Sequence, residues 1–200
     1  MDAENRLWSH FNRRRLEVEA IRDAILAVSG NLDLAAGGSL LPTKNRSYVT
    51  GTGSNLDTTA YESSRRALYL PVVRSALYDL FQVLDFADPS VLNGRRDRTT
   101  VAPQALFMLN SRFVANQTKA LVASLLAEKN LDDAARVARL YIIAYGRSPS
   151  ERERVAALRY VERYAQQLQA DSGAGSDNRL RAWQSFCRGL IAANEFIYLD

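Results

Sequence analysis

The carboxylates of Asp85 and Asp88, three arginines and several hydroxyl and amide side chains lie close together in the sequence between positions 85 and 110. Carboxylates beside arginines can form a ligand clamp or a general acid/base pair. They can equally form a salt-bridged loop that sets local geometry without doing chemistry. With Arg98 nearby, the candidate residues of this ligand or structural site are Asp85, Asp88, Arg95, Arg96, Thr99, Thr100, Gln104 and Asn110.

The chain on either side of this loop determines how these residues can meet. An apolar helix is predicted to end near Phe86, Pro89 fixes the exit from it, and Pro103 can open the next helix. The loop is therefore held at both ends and must reverse direction between two core elements. We expect Arg95 or Arg96 to turn inward toward one of the two aspartates, where positive charge also suits the end of the first helix.

Cysteine and histidine chemistry is limited because each residue occurs once. Cys187 alone excludes a disulfide framework, a zinc ribbon and the C-x-x-C-H attachment of a c-type haem within this chain. It falls in an apolar stripe, which predicts a core thiol. His10 alone excludes most histidine-based metal sites and leaves any Ser-His-Asp triad dependent on that residue. We predict no metal site and no cofactor.

The basic residues are almost all arginines: 23 Arg accompany three Lys, and the net charge is +4. Such a bias suits anionic partners, but 22 acidic residues are interspersed, which is typical of solvated helix faces. The run Arg13-Arg14-Arg15 would spread around a helix and form no single patch. No aromatic platform is interleaved with the bases, so nucleic-acid binding is not favoured.

Targeting segments are not predicted in this sequence. No apolar run reaches the ~18 residues of a membrane span. Residues 1–10 contain no basic region leading into an apolar stretch, so no signal peptide is expected here.

Apolar periodicity predicts a mainly α fold, an irregular helical bundle of about six helices. The first helix is predicted from Leu7 to Val28, with Gly30 as its left-handed terminator. A capping box is predicted with Ser148 at the N-cap, Pro149 at the first helical position and Glu151 at the third. Later segments with helical spacing are 71–86, 103–109, 112–127, 132–145, 149–168 and 180–194.

One long glycine-rich loop is predicted from Asn31 to Ser64, because five of the ten glycines fall between positions 30 and 53 and periodicity is absent. Residues 48–50 and 68–70 give weak strand signals. The chain is expected to form a single helical domain over residues 1–200, with a possible boundary near position 131.

Several segments together resemble a large bacterial family, the domain of unknown function 1553, which is abundant in planctomycete-type bacteria. The resemblance covers nearly the whole chain in five ordered motifs. The residues that carry it are 12–24 followed by 28–30, 65–74 followed by 86–90, 95–106 followed by 109–111, 145–149, and 194–200.

The resemblance implies that this chain corresponds to the C-terminal part of the family domain. In the family, that domain typically ends a long exported protein, which implies an exported or periplasmic location. Its partners there are another uncharacterised domain and often a cytochrome c-like haem domain. The resemblance supplies no catalytic residues that can be carried over.

Three functions follow as hypotheses. The leading one is a binding or scaffolding module within a larger exported redox or polysaccharide-processing protein. The second is an enzyme domain acting on carbohydrate through the Asp/Arg site. The third, nucleic-acid binding, rests on charge alone. An enzyme or ligand site should open Asp85, Asp88 and the 95–98 loop to one pocket, whereas a scaffold should close them in ion pairs.

Overall fold

The computed structural model describes residues 6–9, 13–38, 40, 59–72, 77–94, 96–172 and 177–199. Within these residues the fold is mainly helical, as predicted, and its helices pack as an irregular bundle. The α-helices are α1 (Val18–Val28), α2 (Asp79–Val83), α3 (Ala102–Asn110), α4 (Arg112–Ala127), α5 (Asp133–Tyr145), α6 (Glu151–Ser172), α7 (Asn178–Ile191) and α8 (Asn194–Ile197). The two short strands are β1 (Arg14–Arg15) and β2 (Tyr198–Leu199).

The prediction of a first helix from Leu7 is wrong, because α1 begins only at Val18. Before it, Arg14 and Arg15 are extended and pair with β2 in antiparallel register, Arg14 opposite Leu199 and Arg15 opposite Tyr198. Successive side chains of a strand point to opposite faces. Arg14 is therefore exposed while Arg15 is buried.

The start of α2 also differs from the prediction of a helix over residues 71–86. The α2 helix spans only Asp79–Val83, and Tyr78 before it has extended backbone. Asp85 follows with a φ of 58°, in the left-handed region, which stops the helix there. Residues 73–76 lie outside the described residues. The buried side chains Leu80, Phe81 and Leu84 still form the apolar face that the periodicity indicated.

Only the margins of the predicted glycine-rich loop are described. They contain a 3-10 turn at Thr59–Glu62 and a parallel bridge between Asp33 and Arg65. A second 3-10 turn, Ala67–Tyr69, replaces the weak strand signal at residues 68–70. The other weak strand signal, at residues 48–50, and the centre of the loop, residues 41–58, lie outside the described residues.

Both ends of α5 agree with the predicted helix over residues 132–145, whereas the capping box at the start of α6 differs from the prediction. Asp132 caps α5 by accepting a hydrogen bond from the Ala135 amide at 2.7 Å, and Gly146 ends it with a φ of 70°. The predicted box of Ser148 and Glu151 is wrong. The Ser150 amide donates to Glu153 Oε2 at 2.7 Å and the Glu153 amide donates to Ser150 Oγ at 3.3 Å, so the box is displaced by two residues.

The core is centred on α7, which packs against α4 and α6. Trp183 is completely buried and Cys187 is 1% exposed, so the thiol lies in the core as predicted. Burial raises the pKa of Cys187 to about 12 and keeps it protonated. The same cluster of buried side chains includes Leu125 and Val137, on both sides of position 131.

Candidate functional site

Asp85, immediately after α2, is the centre of the predicted site. Its Oδ2 accepts hydrogen bonds from Arg15 Nη2 at 2.6 Å and from the Thr99 amide at 2.7 Å. The Thr99 hydroxyl donates to Oδ1 at 2.9 Å. The left-handed backbone at Asp85 turns this short side chain toward the loop, so one carboxylate binds groups from the N-terminal strand and from the loop before α3.

Gln104 completes this arrangement from the first turn of α3. Its Nε2 donates to Thr99 Oγ1 at 3.1 Å and more weakly to Asp85 Oδ2 at 3.3 Å. Its Oε1 accepts from Arg15 Nη1 at 3.2 Å, and the same Nη1 also donates to the Thr99 carbonyl. We call these four residues the Arg15–Asp85 network. Both terminal nitrogens of Arg15 and both carboxylate oxygens of Asp85 have partners within the network, whereas the buried Arg15 Nε has none among the described residues.

Arg15 and Gln104 are buried and Asp85 is partly buried, with Arg15 8% and Asp85 15% exposed, whereas Thr99 lies at the surface. Burial by itself raises the pKa of Asp85. The hydrogen bond from the Thr99 amide and the hydrogen bond and charge of Arg15 oppose this, and the pKa of Asp85 ends below its ordinary value. Asp85 is therefore an ionised acceptor at neutral pH, and it lacks the raised pKa that a carboxylic acid needs for general acid catalysis.

Arg96 does not pair with either aspartate. Its guanidinium binds Glu19 with both terminal nitrogens, at 2.7 and 2.8 Å, and Nη1 also lies 2.7 Å from Glu17. It lies over the Phe86 ring at 5.0 Å. The hydrogen bonds to Glu19 raise the pKa of Arg96 above its ordinary value. The partners differ from the expectation because α1 begins at Val18 and presents these two glutamates beside the loop.

The other candidates do not converge on one point. Asp88 is exposed and accepts from the Ser90 amide at 2.8 Å, which closes a local turn. Thr100 is hydrogen-bonded to the Tyr198 hydroxyl at 3.1 Å. Asn110 donates to the Leu106 carbonyl, one turn back in α3. Arg98 is exposed, and Arg95 lies outside the described residues.

Little free space adjoins the Arg15–Asp85 network. The cavity between it and the Arg96 pair has a volume of about 10 Å³ and is bordered by Arg15, Glu17, Asp85 and Arg96. That volume is close to the minimum for one water molecule. A sugar ring or a phosphate does not fit there.

Arg22 on α1 forms a second network that sequence reasoning missed. Its side chain is completely buried. It donates to the Arg65 carbonyl at 2.8 Å and to the Ser63 carbonyl. The neighbouring Asp23 accepts from the Ala67 amide at 2.7 Å. Two of the motifs that carry the family resemblance, residues 12–24 and 65–74, are therefore in direct contact.

Arg147 forms a third network between the start of α6 and α8. It binds Glu153 through both terminal nitrogens, at 3.0 and 2.7 Å, and Glu195 through Nε and Nη2, at 2.5 and 2.8 Å. It also lies 5.4 Å from the Tyr141 ring centre. The sequence signal for the contact between Arg147 and Glu195 is that the motif at residues 145–149 contains an arginine and the motif at residues 194–200 contains a glutamate.

Two further observations concern the described part of the chain. It contains no group of three His, Cys, Asp or Glu side chains arranged to hold a metal ion. None of its helices combines the length and the apolar character that a membrane span requires.

Comparison with known proteins gives one match. No curated protein matches the chain, and no solved structure does. The family model described as "PSD1: Protein of unknown function (DUF1553)" matches residues 1–161. The match contains Arg15, Asp85, Arg22 and Arg147, and it ends before Glu195. Since it covers most of the sequence, the chain belongs to the DUF1553 family.

Proposed function

We propose that this chain is a non-catalytic scaffolding module of a larger exported redox or polysaccharide-processing protein. The observation that carries the proposal is the closed Arg15–Asp85 network. Its carboxylate accepts donors from three surrounding residues, its arginine is almost fully buried, and only about 10 Å³ of space adjoins it. Polar groups that are satisfied inside the fold hold elements in place, and they are not available to a substrate.

The Arg22 and Arg147 networks, which contain residues of the family motifs, support the same scaffolding function. The Arg22 network joins α1 to residues 63–67, and the Arg147 network joins the start of α6 to α8. These networks fix the relative positions of segments that are far apart in sequence. A rigid helical body of this kind suits a role in holding neighbouring domains.

The proposed neighbours follow from the family resemblance: another uncharacterised domain and a cytochrome c-like haem domain, in an exported or periplasmic protein of planctomycete type. Covalent haem attachment would belong to that neighbouring domain, because this chain has one cysteine and Cys187 is buried.

The geometry gives less support to the two alternative functions. A carbohydrate hydrolase built on Asp85 and Asp88 would need both carboxylates to face one substrate, whereas Asp85 is enclosed and Asp88 closes an exposed turn. Nucleic-acid binding would need arginines free to meet phosphates. Many described arginines are instead paired with carboxylates, among them Arg96, Arg147 and Arg179.

Cross-linking of the full-length protein that carries this chain tests the scaffolding role. A carboxylate-directed dihydrazide is the suitable reagent, because the chain has 22 acidic residues and three lysines. Mass spectrometry should find reproducible cross-links from this region to a neighbouring domain. The variant Glu195→Gln, which weakens the Arg147 network, should reduce them, whereas the exposed Glu162→Gln variant should not.

Two results would contradict the proposal. One is the absence of any cross-link from this region to the rest of the protein. The other is turnover of a glycoside by the isolated chain that is lost in Asp85→Asn while the free energy of unfolding stays unchanged.

A further inference from the structure

A large groove lies beside α2 and α3 and contains none of the four residues of the Arg15–Asp85 network. Its volume is about 810 Å³, and it runs between the Thr59–Glu62 turn and α2 on one side and α3 and α4 on the other. We call it the aromatic groove, because the rings of Tyr78, Phe107 and Phe113 line it. Its volume falls within the roughly 300–1,000 Å³ of small-molecule sites.

The aromatic walls of the groove are held in place from behind. The Tyr78 ring stacks on Tyr61 with centroids 4.9 Å apart and planes inclined by 13°. The buried Arg22 guanidinium lies 5.7 Å from the Phe113 ring centre and interacts with the Tyr78 hydroxyl. Because Arg22 is itself bound to two backbone carbonyls, the rings are positioned before any ligand arrives, which lowers the entropic cost of binding.

The polar side chains of the groove contrast with those of the closed networks. Glu62, Asp79 and Arg112 line it and are exposed. None of the three has a salt bridge or a side-chain hydrogen bond to another residue in the part of the chain that the structure describes. Two carboxylates and a guanidinium therefore line the groove without a hydrogen-bonding partner among the residues that the structure describes.

These groups restrict the chemistry of the ligand. Two carboxylates against one guanidinium disfavour a phosphate or sulfate, and the guanidinium disfavours a polyamine. An apolar ligand would bury all three charged groups without partners. Carboxylates and guanidinium groups each offer two parallel hydrogen-bonding positions, which match pairs of adjacent hydroxyls, while flat rings match the C–H face of a sugar.

We propose that the aromatic groove binds a neutral oligosaccharide. Sugar rings stack on the faces of Tyr78, Phe107 and Phe113, and adjacent ring hydroxyls bind Glu62, Asp79 and Arg112. Burial raises the pKa of Tyr78, although the charge of Arg22 opposes the rise, so its hydroxyl stays protonated at neutral pH. The groove shares no residue with the Arg15–Asp85 or Arg147 networks, and it is linked to the scaffolding role only through Arg22, which lies behind Phe113 and Tyr78.

Isothermal titration calorimetry of the chain with cellohexaose, xylohexaose and mannohexaose tests the site. At least one of these neutral probes should bind with a dissociation constant of about 1 mM or tighter. Arg112→Gln and Glu62→Gln should each weaken that binding about tenfold. The matched controls Arg163→Gln and Glu162→Gln change the same residue types on the exposed surface of α6, and they should leave binding unchanged within about twofold.

Several outcomes would overturn the proposal. They are no heat of binding for any neutral probe at the highest soluble concentration, binding that the groove variants leave intact, or tighter binding of a heparin hexasaccharide or of spermidine. Thermal unfolding of each variant shows whether it is folded when titrated. Domain cross-links that persist while sugar binding fails would remove the groove proposal and leave the scaffolding proposal standing.

Discussion

The Arg15–Asp85 network and the aromatic groove contain the same kinds of side chain in opposite situations. In the network, one arginine, one aspartate, one threonine and one glutamine are hydrogen-bonded to one another. In the groove, Glu62, Asp79 and Arg112 face open space and have no such partners among the described residues. Residue type and clustering in the sequence drew attention to the first region, whereas unused hydrogen-bonding capacity draws attention to the second.

The difference shows that a cluster of charged residues in a sequence indicates a structural ion-pair network as readily as a binding site. A buried guanidinium needs several acceptors, so its partners are drawn from distant segments and have fixed positions. A ligand site needs the opposite, a preformed surface whose polar groups keep some capacity free. Substitutions at four places, Arg22, Asp85, the Arg147 network and the groove, test this difference between closed networks and an open site.

The largest effect is expected at Arg22, which supports the groove wall from within the core. Arg22→Met should lower the free energy of unfolding by about 3–5 kcal/mol, because two buried carbonyl groups lose their donors at roughly 1–3 kcal/mol each. Urea unfolding measures this loss. Arg14→Met is the control, because this arginine is exposed, and it should change stability by about 0.5 kcal/mol or less. A loss below about 1 kcal/mol for Arg22→Met would show that this arginine is not a structural centre.

A somewhat smaller effect is expected at Asp85. Asp85→Ala should cost about 2–4 kcal/mol, because Arg15 is left buried without its carboxylate and alanine tolerates the left-handed backbone poorly. Asp85→Asn keeps the shape and the backbone preference, so about half of that loss is expected. Equal stability of all three proteins in urea would mean that the network does not hold the fold.

Acid should weaken the Arg147 network. Its arginine first, and Ser150 next, lower the pKa of Glu153 from its ordinary 4.5 to about 2. A carboxylate with a lowered pKa in the folded state contributes stability that is complete above pH 4.5 and is lost as the pH falls toward 2. Urea midpoints between pH 5 and pH 2.5 should therefore fall less steeply in Glu153→Gln than in the wild type.

The control for this pH series is Glu151→Gln, since Glu151 is 71% exposed and pairs with Arg154 across one helical turn. It should retain the wild-type dependence on pH. Identical slopes for Glu153→Gln and the wild type would show that Arg147 does not hold Glu153 in solution.

The smallest effect on stability is expected in the groove. Glu62→Gln and Arg112→Gln should each change the free energy of unfolding by about 0.5 kcal/mol or less, because exposed side chains without partners contribute little to folding. Differential scanning calorimetry can compare them with Asp85→Asn. A loss above about 1.5 kcal/mol at either position would assign the groove residues to the fold instead of to a ligand.

The C-terminal half of the fold was the more predictable from sequence. Asp132 and Gly146 mark the ends of α5, and the apolar stripe through Trp183 and Cys187 identifies α7. Caps and periodicity are local signals, because they depend on residues one to four positions apart. Even there, the cap predicted at Ser148 lies at Ser150, whose partner Glu153 is also bound by Arg147.

The N-terminal part and the site depend on contacts that no local pattern encodes. Apolar residues from Leu7 onward continued the spacing of α1, but Arg15 is drawn into a strand by residues at the other end of the chain. Because Arg15 binds Asp85, Arg96 binds the glutamates at the start of α1 instead. The sequence therefore drew attention to the aspartate and the loop, and it could not indicate which arginine binds which carboxylate.

The pairing of β1 with β2 has a consequence for the order of folding. The pairing of two residues in each strand closes a loop that contains helices α1 to α8. The entropic cost of closing a loop rises with its length. The few hydrogen bonds of this short ladder offset little of that cost before the helices have packed. We expect the ladder to form after the rate-limiting step, with Arg15 and its contacts. Substitutions at Arg15 should then speed unfolding and leave the refolding rate nearly unchanged, which stopped-flow chevron plots would measure.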